Sequence, residues 1–135
     1  MGLLIDTDVW VLREQGINTA LERWEHFGDV FMSSITASEL LAGVERASLP
    51  HKRTWRSAMV EQLLAEIPVL DIGLREARSH ARMMAALPKG ITIGVHDTWI
   101  AATAISGGHA LLTRNAKDFE NFSGLHLAVW TPATT

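Results

Sequence analysis

Five short apolar runs punctuate the chain, "LLI", "VFMSSI", "PVLDI", "ALLT" and "LHLAVW", and the longer stretches between them carry apolar residues at helical spacing. After the second run, Ala37, Leu40, Leu41 and Val44 form one stripe. Trp55, Met59, Leu63 and Ile67 form another, and Leu74, Ala77, Ala81 and Met84 a third. "ITIGVHDTWIAATAISGG" opens irregularly and becomes an Ala-rich helix that Gly107-Gly108 ends. "SLPHKR" reads as a loop between two helices. Strands alternating with helices in this way predict βαβ units, a central mainly parallel sheet and the α/β class.

Composition sets the limits of that picture. A chain of 135 residues fits one domain spanning 1–135, with enough length to bury a sizeable core. No long uncharged span suits a membrane, and the N-terminus lacks the pattern of a secretory leader, so the expected location is cytoplasmic. The absence of cysteine excludes disulfides, thiol nucleophiles and thiolate zinc sites, so any metal is held by oxygen or imidazole.

The carboxylates change the picture most. In "GLLIDTDVW" a buried strand stops at Asp6 and Asp8, and taken alone the acid reads best as a helix cap. Glu39, in "SSITASELLAG", sits near the start of the next helix. There Thr36-Ala37-Ser38-Glu39 matches a capping box. Asp97 opens the Ala-rich helix on the side of Ile100, Ala101 and Ala104, where an acid is costly to bury unpaired. Asp118 follows the fourth apolar run, close to Thr113, Arg114 and Asn115, and is able to cap a short helix. Each has a bland reading, but all four fall just past a strand or at the start of the following helix. A parallel sheet collects such positions at one edge, where α/β ligand sites form. Crowded carboxylates repel one another unless a hard cation neutralises them. An oxygen-only set favours Mg²⁺ or Mn²⁺, suited to hydrolysis at a phosphodiester.

These stretches resemble the PIN-domain ribonucleases, in particular the VapC toxins of bacterial toxin–antitoxin pairs. "LLIDTDVW", "SSITASELLAG", "GVHDTWIAATA" and "LLTRNAKDF" followed by "GLHLAVW" appear in the family's order and span most of the chain. The resemblance implies a three-layer α/β/α domain, Mg²⁺-dependent endoribonuclease activity, a homodimer, and a VapB-like antitoxin that covers the site. It makes Asp6, Glu39, Asp97 and Asp118 the catalytic, metal-holding quartet, with Thr113 and Asn115 as polar surroundings on the substrate side. Two positions depart from the usual pattern: His96 precedes the third acid, and Asp8 stands where Asn is common.

The formal charge of −3 argues against RNA only until the quartet is set aside. Without those four, eleven acidic residues face twelve basic ones. Arg114 is the expected phosphate contact, whereas Arg75, Arg78 and Arg82 read as a solvated helix face. Two other classes compete. "DTDVW" also resembles the Asp-x-Asp motif of haloacid dehalogenase-type phosphatases, with Asp6 as nucleophile and Asp8 as general acid, although no later Lys is followed by the paired acids of that family. The same fold would also serve a non-catalytic, partner-binding subunit.

Overall fold

The computed structural model describes residues 2–17, 19 and 28–130. Five strands, β1 (Leu3–Ile5), β2 (Val30–Ser33), β3 (Val69–Leu70), β4 (Ala110–Thr113) and β5 (His126–Val129), pair in the order β3-β2-β1-β4-β5. All four pairings are parallel. Six helices complete the described fold: α1 (Thr7–Glu14), α2 (Ser34–Glu45), α3 (Pro50–Glu66), α4 (Leu74–Ala85), α5 (Val95–Gly107) and α6 (Ala116–Phe119). Among the described residues no helix is long and apolar enough to cross a membrane.

Side chains of a strand alternate between faces, and here the alternation builds two cores. Leu3, Ile5, Ala110 and Leu112 point to the face covered by Val9 and Trp10 of α1, Leu40 and Val44 of α2, and Val60 of α3. Leu4 and Leu111 point the other way, against Met83 of α4, Ile100, Ala101, Ala102 and Ala104 of α5, and Phe119 of α6. This is the expected three-layer α/β/α arrangement. With helices on both faces, β1 and β4 are wholly buried, which is why they read as unbroken apolar runs.

The chain winds outward from β1 through β2 to β3, then returns to place β4 on the other side of β1. The direction of winding therefore reverses between β1 and β4. Beyond their carboxyl ends the helices diverge and leave a crevice, the usual place for a ligand in such sheets.

Several local expectations shift. "SLPHKR" is not all loop, because Pro50 begins α3, where its missing N–H costs nothing. Trp55 is 55% exposed, and α3 buries Val60 instead, with Leu63, Leu64 and Ile67 partly covered. On α4 the stripe is likewise displaced: Leu74 and Met84 are exposed, while Glu76, Ser79 and Met83 face inward. Burial of Glu76 is tolerated because it accepts from Gly73 N at 2.9 Å, Ser106 Oγ at 2.8 Å and Arg75 Nε at 2.9 Å. Leu41 of α2 is exposed, and buried Thr36 extends the row of Leu40 and Val44 by one turn instead. The end of α5 matches expectation, with Gly108 adopting a left-handed φ of 67° as its cap.

Candidate active site

Asp6 follows β1 in extended conformation and caps α1, its Oδ1 accepting from Thr7 N at 2.8 Å. Its Oδ2 accepts from Thr113 Oγ1 at 2.8 Å, and Thr113 Oγ1 in turn accepts from Asn115 N at 3.0 Å. The end of β4 thus fastens the end of β1. The expected cap is real, yet the same carboxyl also opens onto the crevice, together with Glu39, Asp97 and Asp118. All four acids line one cleft with Thr7, Asp8, Arg114 and Asn115.

Glu39 reaches the cleft from further along its helix than the sequence suggests. Ser33 is the cap of α2, accepting from Thr36 N at 3.0 Å, so the helix starts three residues earlier than a capping box at Thr36 requires. Glu39 therefore lies in the second turn and caps nothing. Its Oε1 accepts instead from Thr7 Oγ1 at 2.8 Å, and its Oε2 stands 3.6 Å from His96 Nδ1. Asp97 enters from the first turn of α5 and Asp118 from α6, whose cap position belongs to Asn115.

Burial and mutual repulsion shape the electrostatics. Burial, reinforced by neighbouring Asp8, pushes the Asp6 carboxyl from 3.8 up to about 7, against the bonds from Thr113 and Thr7 that favour its anion. Asp97 is raised by burial first, then by Asp118, Glu39 and Asp8, with His96 pulling the other way. Burial also raises Asp8, while the Val9 backbone and Arg114 favour its charged form. Three carboxyls reluctant to ionise in one cleft form a negative focus that lacks sufficient positive charge from the protein itself.

Among the described residues, no three His, Asp or Glu side chains already converge into a cage for a metal ion. The donor set nevertheless fits a hard divalent cation. It consists of carboxylate oxygens from four chain segments, and a cation would relieve the raised proton affinity of Asp6 and Asp97 among them. Asp6, Glu39, Asp97 and Asp118 are the residues that would hold it.

Two residues escaped the sequence reading. Asp8, expected as a departure and given a role only in the phosphatase alternative, lines the cleft, and its Oδ1 is buried without a hydrogen-bond partner among the described residues. Its spacing from Asp6 was the available clue: an N-cap acid and a first-turn acid two positions on share one helix end. His96, given no role from its place beside Asp97, approaches Glu39 across two helices. No local pattern reveals such a contact. One expected role also changes. Thr113 is fully buried with its hydroxyl committed to Asp6, so it holds an acid from behind the cleft wall, whereas Arg114 and Asn115 line the cleft.

Comparison with known proteins gives this geometry a family context. Residues 3–125 match the model of the PIN domain. Ribonuclease VapC1 of Rickettsia felis is 41% identical over 128 residues, covering 94% of this chain and 95% of that protein. Ribonuclease VapC of Rickettsia bellii is 34% identical with the same coverage, 94% and 95%. Among solved structures, the DNA-bound VapBC complex of Salmonella typhimurium superposes with a TM-score of 0.83 at 28% identity, over 97% of this chain and 99% of that one.

Proposed function

The chain belongs to the PIN-domain family, and from that premise we propose that it is a VapC-type endoribonuclease, the toxin of a toxin–antitoxin pair, hydrolysing RNA phosphodiester bonds with Mg²⁺ or Mn²⁺. The observation that carries this reading is the convergence of Asp6, Glu39, Asp97 and Asp118 on one cleft at the winding reversal of the sheet. The match over residues 3–125 displaces the phosphatase alternative, whose nucleophile would have been Asp6.

In this reading Asp6, Glu39, Asp97 and Asp118 hold the cation, and Thr113 fixes the orientation of Asp6. A divalent ion held by these carboxylates would supply Lewis-acid activation of water and offset negative charge on the scissile phosphate. Arg114, at the rim, favours the Asp8 anion and offers its guanidinium to an RNA phosphate. Asn115 presents its amide beside it. A VapB-like antitoxin, as in the related VapBC complex, is the partner this reading assigns; in it the antitoxin restrains the enzyme in the cytoplasm and the toxin is a homodimer.

The test is direct. Purified protein with total RNA should cleave in Mg²⁺ or Mn²⁺, stop in EDTA, and leave p-nitrophenyl phosphate untouched. Production without a partner should arrest growth of a bacterial host. Soluble, intact protein that neither cleaves RNA nor slows growth would point to the non-catalytic partner-binding alternative.

A further inference from the structure

A line of hydroxyl groups runs from the interior into the cleft. Ser33 Oγ lies 3.3 Å from Thr36 Oγ1, Thr36 Oγ1 lies 3.0 Å from Thr7 Oγ1, and Thr7 Oγ1 lies 2.8 Å from Glu39 Oε1. Each hydroxyl has a single proton to give. An ionised Glu39 only accepts, so the Thr7 proton goes to it. Thr36 must then donate to Thr7, and Ser33, already accepting from Thr36 N, must donate to Thr36. The carboxylate at the end gives the chain one direction. Ser33 and Thr36 are both 0% exposed, so no water competes along the inner part.

The consequence falls on Glu39. Its side chain is long, one-third exposed and set in the second turn of α2, with several rotamers open to it. Thr7 is the first residue of α1 and directly follows Asp6, so its hydroxyl ties the second acid to the helix end that the first acid caps. One Glu39 oxygen is taken, and Oε2 stands 3.6 Å from His96 Nδ1.

We infer that Thr7 is a positioning residue for Glu39: as the terminal donor of the Ser33–Thr36–Thr7 hydroxyl chain, it holds that carboxylate at the angle the site uses. The inference rests on the nuclease reading of the cleft. Thr7 need not touch RNA or the ion. The hydroxyl matters, and the methyl group beside it is incidental.

The experiment compares wild type with Thr7→Ser and Thr7→Val, measuring cleavage of total RNA, affinity for Mn²⁺ alone by calorimetry, and melting in EDTA. Thr7→Val should lose about 10- to 100-fold in Mn²⁺ affinity or cleavage rate, the usual effect of removing a group that orients a ligand. Thr7→Ser should match wild type. In a Glu39→Gln background, Thr7→Val should change Mn²⁺ affinity no further, because Thr7 acts through Glu39. If Thr7→Val does not fold, Thr7→Ala removes the same hydroxyl with less bulk. Wild-type behaviour of the hydroxyl-free variant, equal loss in Thr7→Ser, or an undiminished effect in the Glu39→Gln background would each overturn the inference. A wild type that binds no Mn²⁺ and cuts no RNA overturns the nuclease reading itself, and this inference with it.

Discussion

The Thr113 hydroxyl donates to Asp6 Oδ2 at 2.8 Å, joining the last residue of β4 to the residue that follows β1. With Oδ1 held by Thr7 N, both oxygens of Asp6 are fixed before any ligand arrives. Hydrogen bonds favour the anion, while burial and Asp8 oppose it, and the opposition prevails. Such a carboxyl is oriented, yet short of positive charge.

Neutralising an acid at this site should abolish chemistry without removing the fold. Asp6→Asn and Asp97→Asn are each expected to cut RNA at least about 100-fold more slowly, since each deletes a charged ligand. Copurification with an antitoxin should persist. Near-normal cleavage by either purified variant would remove that residue from the mechanism.

The raised Asp6 predicts an inverted pH dependence for the metal-free protein. The unfolded chain loses its proton near 3.8, whereas the folded chain keeps it to about 7. Across that window the folded state binds more protons, so the Asp6 contribution makes stability fall as pH rises and level off above it. The full shift is worth at most about 4 kcal/mol at 1.36 kcal/mol per unit. Asp6→Asn, melted in EDTA, should be more stable than wild type at pH 8 and equal to it near pH 4. A lower melting point for the variant at pH 8 would refute the assignment.

Occupancy by metal should reverse that penalty. Millimolar Mn²⁺ is expected to raise the melting temperature of wild type, by a free energy of about 2.7 kcal/mol at roughly 100 times the dissociation constant. Asp97→Asn should gain little from Mn²⁺, while being at least as stable as wild type in EDTA, because it relieves repulsion from Asp118, Glu39 and Asp8. Equal shifts in both proteins would separate Asp97 from the metal.

How far the chain was legible follows from which forces act locally. β1 and β4 announced themselves because burial on both faces leaves no polar alternation, and four acids at strand ends needed only a parallel sheet to bring them together. Glu39 was placed a turn too early because "TASE" imitates a helix start, whereas Ser33, at the strand end, captures Thr36 N first. The inner faces of α3 and α4 were misjudged for a different reason. Apolar spacing marks a face but not its direction, and the acid that α4 buries, Glu76, is stabilised by partners 3 and 30 positions away. Contacts between helices, such as His96 with Glu39, leave no local trace.

Glu76 supplies a test remote from the cleft. Its bonds to Arg75, Gly73 and Ser106 draw the carboxyl down to about 2 from 4.5. A folded pKa below the unfolded one means stability present above about pH 4.5 and lost as pH falls toward 2. Glu76→Gln should lower stability at pH 7 by roughly 1 to 3 kcal/mol and flatten that acid limb. Chemical denaturation at pH 7 and pH 3 measures both effects, and identical pH profiles for the two proteins would rule the linkage out.

The strand order also sets a schedule. On a growing polypeptide β1 is made first and finds β2 early, but its other edge stays bare until residues 110–113 follow. Asp6 must then wait for Thr113, and the cleft for Asp118. A chain stopped before that point has a ragged sheet and an incomplete set of acids. On the ribosome, the cleft is therefore complete only once both β4 and Asp118 have emerged.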